Sequence, residues 1–218
     1  MKNNKDLEIR SYQTEFRAEE QENSRVIRGL AIPVESRSEL LGGEFYETIR
    51  SSAVDEALIK NNDIKLYANH DPSQGTFARS KFGEGSLKLS VTERGLEFET
   101  ELPDNAYGNY LLDGIRRGDF DSISFGFLVD KDEWTKTKDG LYERSIISFR
   151  MIDEISVLAM LPAYSETNVS IRSLEDFKEA EKAEELRKQE IEQHNKEVFE
   201  EIENNFNSLY KEYLDTKY

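Results

Sequence analysis

Histidine is scarce in this chain, and the scarcity limits where acid–base chemistry near neutral pH can take place. The 218 residues include two histidines, and one of them, His194, lies in a charged C-terminal stretch. The other, His70, ends a strand-like run and precedes Asp71-Pro72. Because imidazole is the side chain that ordinarily titrates close to pH 7, His70 is the best-placed general base.

Serine is the nucleophile that such a base would activate, since a hydroxyl reacts poorly until a neighbouring group takes its proton. Ser122 and Ser124 lie in a glycine-flanked segment, residues 118–127. Strand alternation places both serines and Gly126 on one face and three large apolar residues on the other. Considered alone, the segment is explained more simply by solvent-facing serines, and the nucleophile remains a hypothesis.

A serine–histidine pair usually needs a third group that orients the imidazole, and two adjacent acids head a later strand. These are Asp153 and Glu154, and strand alternation lets only one of them face His70. The spacing of other carboxylate pairs gives no evidence for an active site, because a chain with 45 acidic residues contains nearly any spacing by chance.

With no cysteine and two histidines, we expect no thiolate chemistry, no disulfide and no metal site. The glycine pairs match no phosphate-binding motif, and no cofactor is predicted.

The segments that must position these residues are predicted to be mainly strands. Residues 87–91 and 96–100 alternate around a turn that contains Gly95, which predicts a hairpin. Further strands are predicted at residues 7–10, 25–32, 122–129, 141–149 and 154–160, and the run at residues 64–70 is strand-like. About seven short strands with one or two helices favour a mainly β (α+β) fold, either a small β-barrel or a curled sheet.

Two helices are predicted among the strands. One follows Glu47 and includes Ala53, and the other opens at Pro103-Asp104 and ends at Gly118. In the second helix, one face is predicted to carry Tyr107, Leu111, Leu112 and Ile115.

The C-terminal stretch, residues 174–218, has a composition of its own. It contains 14 acidic and 7 basic residues, a net charge of −7, and neither glycine nor proline. Its apolar residues recur at spacings of three, four or seven, which predicts one amphipathic helical face. They are Ile191, Val198, Ile202, Phe206, Leu209 and Tyr213. A solvated helix and a docking or self-association helix both fit this pattern.

The overall charge excludes some classes of partner. A net charge of −16 disfavours binding to nucleic acid or to an anionic membrane surface. No apolar run is long enough to span a bilayer, and the first residues lack the apolar core of a secretory signal. We therefore expect an intracellular protein that contacts neither nucleic acid nor membrane.

Five segments in a fixed order carry a family resemblance over residues 8–172. They are Arg28-Gly29-Leu30-Ala31-Ile32-Pro33, Phe45-Tyr46-Glu47-Thr48-Ile49, Leu66-Tyr67-Ala68-Asn69-His70-Asp71, residues 118–127 with their Ser-Phe-Gly-Phe ending, and Glu154-Ile155-Ser156-Val157 followed by Pro162-Ala163-Tyr164. In this order they resemble the motifs of the prohead maturation proteases of tailed bacteriophages, which are related in fold to the herpesvirus capsid protease, assemblin.

The resemblance implies a role for each candidate residue. Ser124 would be the nucleophile, His70 the general base and later the acid, and Glu154 the carboxylate that orients the imidazole. Ser122 is the second candidate nucleophile. The chain departs from the family where Ser122-Ile123 replaces a common Gly-Met pair and where residues 76–79 replace a Gly-Arg step. The oxyanion donor stays open between a backbone amide near Ser124 and an arginine.

The same resemblance implies a small assemblin-like β-barrel with surrounding helices in residues 1–173, and a helical tail in residues 174–218. The expected activity is that of a serine endopeptidase without cofactors, acting inside the assembling procapsid in the host cytoplasm. Its expected partners are a scaffold protein or scaffold-like segment, the major capsid protein and the protease itself, with homo-oligomerisation left open. Two rival functions are a non-catalytic scaffolding component and a small-molecule esterase, although the Gly-x-Ser-x-Gly elbow of many esterases is absent around Ser124.

Overall fold

The computed structural model describes residues 6–13, 16–19, 24–159 and 168–215. The strands within these residues are β1 (Glu8–Gln13), β2 (Phe16–Ala18), β3 (Val26–Pro33), β4 (Phe45–Ile49), β5 (Asp63–Ala68), β6 (Ala78–Lys81), β7 (Glu84–Gly85), β8 (Lys88–Thr92), β9 (Gly95–Glu101), β10 (Ser122–Lys136) and β11 (Tyr142–Leu158). The helices are α1 (Glu56–Asn61), α2 (Ala106–Arg117) and α3 (Asn168–Asp215), with short 3-10 helices at Ser51–Ala53 and Pro72–Gln74.

The strands form two sheets. The larger sheet has the order β1-β10-β11-β5-β6-β7, with β4 also paired to β11, and the smaller sheet has the order β2-β3-β9-β8. β11 runs antiparallel to β10, while its first residues pair in parallel with β4 and its last residues with β5. The end of β11 therefore lies between β10 and β5, the strands that carry or precede the candidate serine and histidine.

One hydrophobic core joins the two sheets. Phe125 and Phe127 of β10 stack at 4.9 Å between ring centroids, in the same buried cluster as Ile27 and Leu96 of the smaller sheet. The apolar face predicted for residues 122–129 thus faces this core. The mainly β architecture with interspersed helices is confirmed.

The predicted barrel is not closed by the strand pairings of the described residues, which form the two sheets above. The small barrel therefore stays a prediction. The strand count was too low, because short strands such as β7 give little sequence signal. Conversely, the strands predicted at residues 141–149 and 154–160 are parts of one continuous strand, β11. Residue 160 lies outside the described residues.

The predicted hairpin is confirmed as β8 paired with β9. Gly95 has a φ of +131°, and a Cβ at this position would lie 2.0 Å from the carbonyl oxygen of Ile32, so glycine is required. The helix predicted after Glu47 is present as the 3-10 turn Ser51–Ala53 and α1.

α2 begins and ends as its sequence predicts. The side chain of Asn105 accepts a hydrogen bond from the Gly108 amide, and Gly118 ends the helix in the left-handed conformation. On the predicted face, the side chains of Leu111, Leu112 and Ile115 are buried, whereas that of Tyr107 is exposed.

By compactness the chain divides into two units, Met1–Ile171 and Arg172–Tyr218. The described part of the second unit is helical and belongs to α3. Its exposed large apolar side chains are Leu186, Ile191, Val198, Phe199, Ile202, Phe206 and Leu209. The side chain of Tyr213, also predicted for this face, lies outside the described residues. Among the helices that the structure describes, none combines the length and apolarity needed to cross a membrane.

Candidate active site

His70 is carried by a tight turn that follows β5. The Asp71 amide donates to the Ala68 carbonyl oxygen at 3.0 Å, and the two central residues, Asn69 and His70, have φ values of +51° and +56°. Two successive left-handed residues are typical of a type I′ turn, in which asparagine is well tolerated. The Asn69 side chain accepts from the Ala159 amide at 3.0 Å and ties the turn to the residue after β11.

The turn brings His70 against Glu154. The imidazole Nδ1 and Glu154 Oε1 form a short hydrogen bond, and the Glu154 side chain is largely buried. Asp153 instead faces Lys65, with 3.4 Å between Asp153 Oδ1 and Lys65 Nζ. The two adjacent acids thus point to opposite faces, and Glu154 is the one beside the histidine.

Ser124 lies at the centre of the larger sheet and is completely buried. Its Oγ donates to the Arg10 carbonyl oxygen at 3.0 Å and accepts from Ser11 Oγ at 2.9 Å. Ser122 is also completely buried, and its Oγ donates to Asp121 Oδ1 at 2.7 Å. Solvent exposure therefore does not explain this row of serines.

Strand register places the serine on the same sheet face as the carboxylate. Ser124 of β10 is directly opposite Ser156 of β11, and Gly126 is directly opposite Glu154. On the other side of β10, Ser124 is opposite Ser11 of β1. The serine hydroxyl is directed towards β1 through its two hydrogen bonds, whereas the histidine lies on the β11 side.

The structure therefore brings His70 and Glu154 into contact and places Ser124 one strand away, without a hydrogen bond between Ser124 and His70. The imidazole Nε2 is buried and has no hydrogen-bond partner among the described residues. An imidazole with Nδ1 held by a carboxylate has Nε2 available to accept a proton from a hydroxyl. A serine hydroxyl, an imidazole and a carboxylate are the three groups that a serine hydrolase uses.

A cluster of buried charges, Glu8, Arg10, Glu47 and Arg144, was not predicted from the sequence. Arg10 is directly opposite Phe125 in the β1–β10 pair, so its side chain lies on the sheet face opposite the Ser124 side chain. Arg10 donates to Glu8 and to both carboxylate oxygens of Glu47, and Arg144 donates to the same two carboxylates, at distances of 2.7–2.9 Å. All four side chains are almost inaccessible to solvent. The carbonyl oxygen that accepts from Ser124 belongs to Arg10.

These contacts shift the pKa of two members of the cluster, Glu8 and Arg144. Burial by itself raises the pKa of Glu8. The hydrogen bond and charge of Arg144 and the charge of Arg10 lower it by a larger amount, so the pKa of Glu8 lies below its ordinary value. Burial lowers the pKa of Arg144, yet its carboxylate neighbours Glu8, Glu47 and Asp132 raise the pKa above its usual range.

Two features of the sequence coincide with members of the charge cluster, although neither predicted it. Glu8 and Arg10 alternate with Ile9 in β1, and it is the charged residues that are buried. Glu47 is the acid of the second family segment, residues 45–49.

Among the described residues, no group of three or more histidine or acidic side chains is arranged to hold a metal ion. The motif segment Pro162-Ala163-Tyr164 lies outside the described residues.

Comparison with known proteins identifies the family of this chain. The family model of the caudovirus prohead serine protease matches residues 12–183, most of the chain. The chain belongs to this family and is a serine endopeptidase of phage procapsid maturation. The solved structure of the bacteriophage T4 capsid assembly protease is similar over 70% of this chain and 98% of its own, with 10% identity and a TM-score of 0.45. No curated protein sequence matches the chain.

Proposed function

We propose that Ser124, His70 and Glu154 are the catalytic residues of this protease. The observation that carries the proposal is the His70–Glu154 hydrogen bond on the sheet face that also holds Ser124. It leaves Nε2 buried and without a hydrogen-bond partner in the described part of the chain. Glu154 orients the imidazole and stabilises its protonated form, and Nε2 takes the proton of the Ser124 hydroxyl.

Catalysis in this scheme requires the Ser124 hydroxyl to turn. Its Oγ now bonds to the Arg10 carbonyl and to Ser11, both on β1, and must rotate towards β11 to reach the imidazole. The turn is a rotation about χ1, whose staggered positions are the rotamers open to a serine side chain. Catalytic hydrogen bonds often tighten only when substrate is bound, so we assign the rotation to the substrate complex.

The reaction then follows the ordinary course of acyl transfer. Ser124 Oγ attacks the scissile carbonyl carbon, His70 passes the proton to the leaving amine, and the C–N bond breaks to give an acyl-enzyme. A water molecule, deprotonated by the same imidazole, hydrolyses the ester and restores the serine. The oxyanion donor stays open between a backbone amide near Ser124 and an arginine.

We further propose that the substrates are scaffold or capsid-protein segments and the protease itself, cleaved inside the assembling procapsid in the host cytoplasm. Residues 1–173 would form the protease domain, in which the two sheets make up the small barrel of assemblin-like proteases. Residues 174–218 would hold the protease among scaffold or shell subunits through the exposed apolar side chains of α3. The family assignment and the charge of −16 support a protein partner rather than nucleic acid.

The catalytic assignment is tested by a pair of serine substitutions. Ser124→Ala should abolish processing of co-expressed scaffold and capsid protein while procapsids still assemble. Ser122→Ala is the matched control, because Ser122 is equally buried in the same strand but bonds to Asp121. Mass mapping of the products identifies the cleavage sites. Normal processing by Ser124→Ala together with loss of processing by Ser122→Ala would move the nucleophile to Ser122.

The role of the tail is tested by deleting residues 174–218. We expect the truncated protease to be missing from purified procapsids while it still reacts with a fluorophosphonate. Incorporation at the normal level would contradict the docking role.

A further inference from the structure

We propose that Ser156 is a positioning residue that holds both the carboxylate and the histidine of the catalytic group. This inference rests on the proposed function of His70, Ser124 and Glu154. Ser156 does not contact the reacting atoms in this scheme. It acts through the two residues that do.

One hydroxyl joins two separate parts of the site. Ser156 Oγ donates to Glu154 Oε2 at 2.7 Å, and it accepts a hydrogen bond from the backbone amide of His70 at 3.2 Å. The side chain is completely buried. A hydroxyl can donate once and accept at the same time, so both contacts exist together.

The contact with Glu154 fixes the plane of its carboxylate. One oxygen, Oε1, bonds to the imidazole, and the other, Oε2, bonds to Ser156. The terminal torsion of a glutamate is broad and only weakly restrained by itself. With both oxygens held, the carboxylate cannot turn away from His70.

The contact with the His70 amide anchors a backbone conformation that needs support. Asn69 and His70 are consecutive non-glycine residues with positive φ, a conformation that persists where the surroundings hold it in place. The Asn69 side chain holds one side of the turn through the Ala159 amide. Ser156 holds the other side, at the residue that carries the base.

The placement of Ser156 follows from strand geometry. It lies two residues after Glu154 in β11 and therefore on the same face. It is also the direct neighbour of Ser124 across the β10–β11 pair. Removing its hydroxyl would leave Glu154 Oε2 and the His70 amide without the partner that they now share, in a buried site.

The test uses the full chain and a biotinylated alkyl fluorophosphonate. In this probe reaction the serine oxygen bonds to phosphorus, fluoride leaves and the hydroxyl proton passes to the base. The rate of labelling thus reports the activated serine without a known peptide substrate. In metal sites, groups that orient a histidine ligand typically change activity 10–100-fold when they are mutated. Ser156 orients a histidine and its carboxylate in the same manner, so we expect Ser156→Ala to label about 10–100-fold more slowly. The low-field proton resonance of His70 Nδ1 should broaden or shift.

Ser80→Ala is the matched control. Ser80 is equally buried in the same sheet, but its hydroxyl has no hydrogen-bond partner among the described residues. Its removal should leave the labelling rate and the resonance unchanged. Ser156→Cys keeps the volume with a weaker donor and should label at an intermediate rate. It also decides the question if Ser156→Ala does not fold.

The outcomes separate this inference from the proposed function. Unreduced labelling of Ser124→Ala would mean that the catalytic assignment is wrong. If Ser124→Ala is inert but folded Ser156→Ala or Ser156→Cys reacts at the wild-type rate with an unchanged resonance, Ser156 has no positioning role. A probe adduct mapped to residue 156 would overturn the inference by making Ser156 the nucleophile.

Discussion

Removing Arg144 is the most informative perturbation of the fold around the site. Its guanidinium makes four hydrogen bonds, two to Glu8, one to Glu47 and one to Asp132, each 2.7–2.9 Å long. Arg144→Met keeps much of the side-chain volume but removes the positive charge. Glu8 and Glu47 would then remain buried with Arg10 as their shared counter-charge.

The expected loss can be bounded from these contacts. One hydrogen bond to a charged group contributes about 1.5–3 kcal/mol, so four independent bonds would contribute roughly 6–12 kcal/mol. Such terms are not additive, and removing one member of a buried ion pair typically costs about 3–5 kcal/mol. We adopt the smaller figure. A domain of this kind has a total free energy of unfolding of about 5–15 kcal/mol, so the loss is a large fraction of it. Arg144→Met should therefore lower the melting temperature by roughly 6–20 °C.

The chain contains a natural probe for this measurement. Trp134 is its single tryptophan, and the Arg144 guanidinium carbon lies 5.4 Å from the centre of its ring. Urea unfolding should be followed by tryptophan fluorescence and by far-ultraviolet circular dichroism. A loss of about 4 kcal/mol corresponds to a midpoint lower by roughly 2 M urea at a typical slope.

Arg37→Met is the control for the loss of an arginine. Arg37 pairs with Glu143 at the surface, where the arginine side chain is 51% exposed. Surface pairs contribute little because water screens them, so its midpoint should scarcely move. Equal midpoints for Arg144→Met and Arg37→Met would refute the argument that the charge cluster stabilises this fold.

Three further predictions concern single residues. Glu154→Gln should slow fluorophosphonate labelling by on the order of 10³-fold or more, because the imidazole loses its charged partner; a rate near wild type would exclude Glu154 from catalysis. Gly108→Ala should lower the melting temperature, because its Cβ would lie 2.0 Å from the Pro103 carbonyl oxygen, although alanine has the better helix propensity. In the control variant, Gly126→Ala, the added Cβ meets nothing closer than 3.4 Å, so its melting temperature should be near that of wild type. The pKa of Glu8 is lowered on folding, so its ionised form stabilises the fold above its ordinary pKa of 4.5, and that contribution disappears as the pH falls below this value. The difference in urea midpoint between wild type and Glu8→Gln should therefore shrink below pH 4.5, and a constant difference would contradict the assignment.

Local patterns in the sequence predicted the parts of the site that depend on neighbours in the chain. Strand alternation separated Glu154 from Asp153 and placed Ser124 on the face opposite Phe125, and both placements agree with the structure. The hairpin and the ends of α2 were predicted for the same reason, because turn glycines and capping residues act over a few positions.

The sequence could not indicate which charges and hydroxyls meet across strands. Glu8 and Arg144 are 136 positions apart, and Ser124 and Ser11 are 113 apart, yet each pair is in hydrogen-bond contact. These contacts depend on sheet order and register, which are set by packing over the whole core rather than by any single segment. Charged residues are ordinarily exposed, and the burial of Glu8 and Arg10 could not be predicted because it depends on these remote contacts.

The sequence alone determined the chemical groups of this protein: one well-placed imidazole, two serines in an alternating strand, and adjacent acids of which one can face the imidazole. The tertiary structure decided how they stand together. The parallel pairing of β5 with β11 and the left-handed turn after β5 bring His70 to Glu154, and the β1 pairing holds the Ser124 hydroxyl at the Arg10 carbonyl. The physical reason is that side-chain identity is local, whereas contact between remote side chains follows from the arrangement of strands that buries the shared core.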